Sequence, residues 1–392
     1  MRVLLLSQGR KVADQPDFDI AFREARSGGR PVEVRNIPFI GFREEHGEAA
    51  FYREVLRQNE DFKPDVVFFQ FYHSGGDAGI AACCRELKAA AHAPLVFGSI
   101  GVGDPFYTGW RKPFARPLPR SATDLARHAD AFFATAFGNV ADELARQGGK
   151  NVIFLPHAFC PAHFPYWMDA FVREPAYDLA MVCSRGRLIG RKMVAAVQNN
   201  WRRRWLVAHL ARRFGDRLAV FGRGWEGTPF GKGAVAFDDQ VAIYRDSRVC
   251  LDAPAPILHT DYYSSDRPFF MLGSGTPTVF FHTPRFEKIL REGEHVFYVR
   301  RLRDVCGVCE KALALPDDVR LARAQRVREF VRERHLIAHR VDTVISTAEA
   351  LLRHRRGELT KEDALRAVRM HHFLPEVDLE AEYPFCTRNW VG

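Results

Sequence analysis

Residues 262–287 hold the densest chemistry in this chain. They read as a polar loop, a short helix closed by Gly275, a buried strand, and a second loop before another helix. Ser264, Ser265, Asp266 and Arg267 fall where the first of those helices begins. Exposed N–H groups and the positive end of a helix dipole gather at such a point, which suits a phosphate. The stretch comes late in the chain, so it predicts a site for a phosphorylated ligand in a second domain. Cys306-Gly-Val-Cys309 also has a chemical spacing, that of a redox or zinc pair. It opens a helical stretch, has no second pair and does not follow a strand, so core packing is expected of it. Most of the other cysteines sit in apolar strands or helices and read as reduced core residues. No His, Cys and Asp cluster has convincing metal-ligand spacing.

The elements that must position these residues alternate. Strands are predicted over 3–6, 32–36, 65–69, 94–97, 131–134 and 152–155, with helices over 18–27, 48–58, 78–91, 121–128 and 139–147. After a Pro-, His- and aromatic-rich stretch over 156–175 the alternation resumes. Strands are predicted over 177–183, 217–221, 249–251 and 295–298, with helices over 201–214, 240–246 and 284–291. Three helices, over 302–315, 317–333 and 338–355, follow. Continuous apolar strands separated by helices indicate parallel sheets covered on both faces. The predicted domains are 1–160, 176–345 and a helical tail over 346–392 that packs on the first domain. Two Rossmann-like domains facing a cleft are the expected α/β architecture, with ligands beyond the carboxyl ends of the strands.

Composition sets the frame. At 392 residues the chain is too long for one ordinary core. Its 47% hydrophobic and 27% charged residues are those of a soluble globular protein. No apolar run is long enough to span a bilayer, and the first residues read as a strand rather than a signal peptide. A cytoplasmic location is expected, with peripheral membrane contact left open. The formal net charge of +9 favours anionic partners, such as nucleotides, lipid head groups, acidic glycans or nucleic acid. A coding bias towards arginine explains the same number. The densest basic cluster, Trp201-Arg-Arg-Arg-Trp205, lies in a helical pattern and reads as a solvated face.

Four segments together resemble a GT-B glycosyltransferase, and more narrowly the CgeB-like (spore maturation protein-like) group of the family 1/4 class. They are Phe133-Ala-Thr-Ala-Phe-Gly-Asn-Val with Phe154-Leu-Pro-His-Ala-Phe, Phe214-Gly-Asp-Arg-Leu-Ala-Val-Phe-Gly-Arg-Gly-Trp225, Ser265-Asp-Arg-Pro-Phe-Phe-Met-Leu-Gly-Ser-Gly275, and Thr283-Pro-Arg-Phe-Glu287 with Glu292-Gly-Glu-His-Val. Their order and spacing cover residues 94–345. The resemblance implies an enzyme that moves a sugar from a nucleotide-diphosphate donor, such as a UDP-sugar, to an acceptor hydroxyl. The implied reaction needs neither a metal nor a resident cofactor, the nucleotide-diphosphate sugar being a substrate, and is commonly retaining. Basic side chains and helix N-termini neutralise the leaving diphosphate.

The same resemblance implies roles for single residues. Ser184, Arg185, Arg191 and Lys192 sit in the loop and helix where this fold holds a diphosphate, with Arg offering forked hydrogen bonds and Lys a point charge. Gly222 and Trp225 follow a strand end where a nucleobase rests against backbone, although Trp225 reads equally as a lid over the core. Tyr263, Ser264, Ser265, Asp266 and Arg267 become the donor loop. Glu287 either bonds a sugar hydroxyl or charges the start of its own helix. Phe270 stands where the family has a glutamate for the ribose, so that contact is expected from Asp266 or Glu287. In the first domain Asp104 reads as a base towards an acceptor hydroxyl or as a turn former. His73 is a second cleft candidate, and Gly9 would let the first turn approach a ligand. The acceptor stays open among glycan, protein and metabolite. Nucleic acid is the alternative, which the aromatic and basic stretch over 106–116 would serve. A degenerate module that only binds nucleotide or glycan is the non-enzymatic alternative.

Overall fold

The computed structural model describes residues 1–14, 16–72, 79–101, 118, 120–164, 167–185, 193–253, 261–360, 363–364, 367–368 and 373. The described residues divide into two compact units. The first takes those within Met1–Val102, Arg116–Pro156 and Ile337–Gly392, and the second those within His157–Leu336.

In the first unit the chain runs through β1 (Arg2–Ser7), α1 (Asp17–Glu24), the two-residue strands β2 (Arg26–Ser27) and β3 (Arg30–Pro31), β4 (Glu33–Pro38), α2 (Phe39–His46) and α3 (Glu48–Phe62). It continues through β5 (Val66–Phe69), α4 (Gly79–Ala89), β6 (Leu95–Ile100), α5 (Arg120–His128), β7 (Ala131–Ala134), α6 (Asn139–Arg146) and β8 (Val152–Phe154). Six of these strands form one parallel sheet in the order β4-β1-β5-β6-β7-β8. Leu5, Phe68, Phe97 and Phe133 line one core face beneath α1. The predicted helix over 18–27 stops at Glu24 instead. Gly28 and Gly29 both take positive φ, 54° and 78°, so the chain turns tightly and Ser27 pairs with Arg30 in a small hairpin.

The second unit holds β9 (Tyr177–Val182), α7 (Met193–Phe214), β10 (Leu218–Phe221), α8 (Gln240–Arg245), β11 (Ser247–Leu251), α9 (Arg267–Ser274), β12 (Thr278–Phe281) and β13 (Val296–Val299). Helices α10 (Val305–Leu313) and α11 (Asp317–Arg334) complete it, and α12 (Ile337–Arg355) returns to the first unit, where Val341, Val344 and Ile345 join its core. The five strands are parallel in the order β10-β9-β11-β12-β13. The chain therefore steps outward from β9 to β10, then crosses back to β11 on the other side of β9. That reversal is a topological switch point, and in sheets of this kind ligands gather beyond the carboxyl ends of the strands there.

The helix predicted over 284–291 shortens to a single 3-10 turn, Phe286–Lys288. Arg285 before it has φ +65°, which sets the chain in a left-handed turn rather than a helical entry. Cys309 is buried and Cys306 partly so within α10, and burial raises both thiol pKa values. Among the described residues no helix is long and apolar enough to cross a membrane.

Candidate functional site

Three loops leave the switch point of the second unit. Cys183–Arg185 follows β9, Gly222–Trp225 follows β10, and Asp252 follows β11. The first two are stitched together by backbone. Cys183 donates its N–H to Phe221 O at 2.8 Å, and Arg185 donates to Arg223 O at 2.9 Å. Gly222 has φ +138°, and a Cβ there would lie 2.3 Å from the Cys183 carbonyl oxygen. Only a glycine lets these strand ends approach so closely.

Beyond them lies a 380 Å³ depression lined by Ser184, Gly222, Arg223, Phe237, Gln240, Asp266 and Arg267. Residues from β9, β10 and the start of α9 thus meet, although they are scattered over more than eighty positions of sequence. Helix α9 begins at Arg267, carries Pro268 in its first turn, and ends at Gly275, whose φ of +81° closes it in the left-handed conformation.

Arg267 is the charged centre of the site. Its Nε donates to Asp252 Oδ1 at 3.3 Å, and its side chain keeps about a quarter of its exposure while Asp252 keeps 2%. Burial disfavours the guanidinium, but Asp252 and Asp266 more than offset that and raise its pKa. Burial pushes the Asp252 carboxyl up to about 6, against the opposing pull of Arg267. Asp252 therefore fixes one side of the guanidinium, while about a quarter of the Arg267 side chain stays exposed.

The loop before α9 is fastened to the loop after β12. Tyr262 donates its N–H to Pro284 O at 2.9 Å, and Thr283 Oγ1 donates to Tyr263 O at 2.8 Å. Tyr262 and Arg285 both have positive φ, 56° and 65°, an uncommon conformation for side chains of this size. The hydroxyls of Ser264 and Ser265 are buried with no hydrogen-bond partner. Buried polar groups are normally satisfied, so two adjacent orphan hydroxyls beside a helix start are unusual.

The other candidates fall as follows. Arg185 donates to Gly224 O at 3.3 Å, and its guanidinium lies 5.5 Å from the Trp225 ring. Trp225 is 3% exposed and donates its indole N–H to Cys183 O at 2.8 Å, so it supports the loop from beneath. Glu287 pairs with His282 at 2.8 Å. Gly9, in the first unit, accepts the N–H groups of Ile40 and Gly41 at 3.0 and 3.1 Å on its carbonyl. Its neighbours Arg10 and Lys11 give their N–H groups to Asp14, which lowers the Asp14 pKa. Arg191, Lys192, His73, Asp104 and the stretch over 106–116 lie outside the described residues.

Three participants were not read from the sequence. Asp252 looked like any polar residue after a strand. Phe237 sat in a loop without pattern. Arg203 lies in the basic cluster expected to form a solvated face. It instead donates from Nη1 to Ser184 O at 2.9 Å, and burial lowers its pKa. Its charge interacts with Cys183, Arg267 and Asp252. Phe270, where an acid was expected, is 3% exposed and packs against Phe159, Phe164 and Phe237.

Residues 202–346, which contain most of this constellation, match a family model described as glycosyl transferase-like. No curated protein matches the chain. The fold is shared with several solved structures. One, titled trehalose-6-phosphate from E. coli bound with UDP-2-fluoro glucose, is 10% identical with a TM-score of 0.57, over 89% of this chain and 99% of that one. An α,α-trehalose-phosphate synthase (UDP-forming) from Burkholderia vietnamiensis is 13% identical with a TM-score of 0.56, over 92% and 99%. Anabaena HepE in complex with UDP is 12% identical with a TM-score of 0.54, over 90% and 100%. The chain therefore has the GT-B fold, built of two Rossmann-like domains.

Proposed function

We propose that this chain is a GT-B glycosyltransferase, of the CgeB-like group, that takes a UDP-sugar or a related nucleotide-diphosphate sugar and moves the sugar to an acceptor hydroxyl. The observation that carries the proposal is the meeting of Arg267, held by Asp252, with the glycine-opened ends of β9 and β10 at one depression. The family match over 202–346 and the UDP ligands named for the structural relatives support the same class.

In this mechanism the acceptor oxygen approaches the anomeric carbon from the face that the diphosphate leaves, and bonds to it as the bond from that carbon to the donor's β-phosphate oxygen breaks. The acceptor proton leaves to a base, and the diphosphate departs with the electron pair. Arg267, with Arg203 behind it, stabilises that developing charge in a site partly shielded from water. Ser264 and Ser265 donate hydroxyl hydrogens to phosphate oxygens, which gives their orphan Oγ atoms partners. Arg185, Arg191 and Lys192 add positive charge from the β9 loop, and Asp266 or Glu287 takes a ribose or sugar hydroxyl. The charge for departure comes from side chains and backbone, so the proposed transfer is metal-independent, and retention of configuration is part of the proposal. His73 and Asp104 are the proposed groups on the acceptor side. A cytoplasmic location, with peripheral membrane contact, belongs to the same proposal.

A thermal-shift panel of UDP, GDP, ADP and dTDP, followed by a donor-hydrolysis screen with the nucleotide that binds, tests this. A shift with one nucleotide and slow hydrolysis of its sugar derivatives are expected. No shift with any of the four would overturn it.

A further inference from the structure

One exposed aromatic ring lines the depression beside Arg267. Phe237, in the loop before α8, is 42% exposed and shares the wall of the depression with Gly222, Arg223 and Arg267. The other large apolar side chains exposed to this degree among the described residues, Val12, Met168 and Val319, are not aromatic and line no part of it.

The ring is held in place without a ligand. Its centroid lies 5.5 Å from that of Phe270 at an interplanar angle of 87°, and 5.0 Å from that of His163 at 78°. Phe164 adds a tilted contact at 6.0 Å. His163 is itself fixed by Asp238, Nδ1 to Oδ1 at 2.8 Å. Edge contacts of this kind steady a ring while leaving surface for a planar partner. A pre-positioned ring also loses little conformational freedom when that partner arrives.

We propose that Phe237 is the platform on which the nucleobase of the donor stacks, and that Phe270 is its buried support. The geometry separates the two halves of a nucleotide. Arg267 offers charge to the diphosphate, and Phe237 offers apolar surface to the base within the same depression. Stacking on an aromatic face suits any base, so Phe237 supplies affinity and the polar groups around it supply choice. An apolar residue at position 270 then has a reason of its own: it holds the stacking ring.

This inference rests on the nucleotide-binding proposal, and inorganic pyrophosphate separates the two because it has no base. Titration of the whole chain with UDP and with pyrophosphate, for the parent, Phe237→Ala and Phe237→Trp, reads both. Phe237→Ala is expected to weaken UDP binding about tenfold and to leave pyrophosphate binding unchanged. Phe237→Trp is expected to keep UDP affinity and to gain an indole fluorescence signal that UDP quenches and pyrophosphate does not. Parent-like UDP binding by Phe237→Ala would overturn the platform, as would equal losses of UDP and pyrophosphate. A parent chain that binds pyrophosphate but not UDP would overturn the platform and leave the anion site. A parent that binds neither would remove both.

Discussion

Arg267 Nε donates to Asp252 Oδ1 at 3.3 Å, joining the first residue of α9 to the residue that follows β11. Two elements that meet at a switch point are thereby locked by an ion pair whose acid is buried and whose base is not. The asymmetry is what a ligand site for an anion requires. The acid fixes the direction of the guanidinium, and the exposed edge of the guanidinium stays available.

Arg267→Ala should therefore cost binding first. Hydrogen bonds to charged groups contribute about 1.5–3 kcal/mol, so nucleotide affinity should fall roughly tenfold to a hundredfold. Arg267→Lys should recover only part of the loss, because an ammonium cannot hold Asp252 and reach a phosphate through a planar fork. Calorimetric titration of the three proteins with UDP checks both statements.

Asp252 gives the protein a pH dependence of known sign. Its pKa in the fold is raised to about 6, above the roughly 4 of an unfolded aspartate. Between those values the folded state binds more protons than the unfolded state. The stabilising contribution is thus complete below about pH 4 and is lost as pH rises through about 6. Asp252→Asn should remove this component, so its urea-unfolding free energy should fall less between pH 4 and 7 than that of the parent. A parallel pH profile in the two proteins would count against the assignment.

Gly222→Ala should be destabilising by more than the usual glycine-to-alanine change. The site combines φ +138° with a Cβ position 2.3 Å from the Cys183 carbonyl oxygen. Backbone strain of this kind costs about 1–3 kcal/mol before any clash is relieved. Chemical denaturation should show that loss, and UDP binding should weaken as the strand ends are pushed apart.

Ser264→Ala should separate stability from binding. The hydroxyl is buried without a partner, so its removal breaks no hydrogen bond in the free protein and relieves an unsatisfied polar group. The unfolding midpoint should stay level or rise slightly. UDP affinity should fall about fivefold to tenfold, the worth of about one hydrogen bond. A lowered midpoint with unchanged affinity would make the serine structural.

The fold was legible because its strands are parallel and buried on both faces. Stretches such as Val66–Phe69 and Ala131–Ala134 are wholly apolar and are wholly buried. Gly275 marked the end of α9 because only the left-handed conformation closes that helix. Elements set by tertiary contact were less legible. The first strand of the small hairpin, Arg26–Ser27, falls inside the helix predicted over 18–27, and the helix predicted over 284–291 is only a turn at Phe286–Lys288. At the site, the serines and Arg267 could be found because they cluster beside a helix start. Asp252, Arg203 and Phe237 could not, since each takes its meaning from a partner at least fifteen positions away in sequence.

The most direct measurement is a calorimetric titration of UDP into the whole chain beside its Arg267→Ala variant, at one pH and one salt concentration. Saturable binding by the parent, weakened at least tenfold in the variant, is the predicted result. No saturable binding by the parent, or equal binding by the two, would contradict a nucleotide site centred on Arg267.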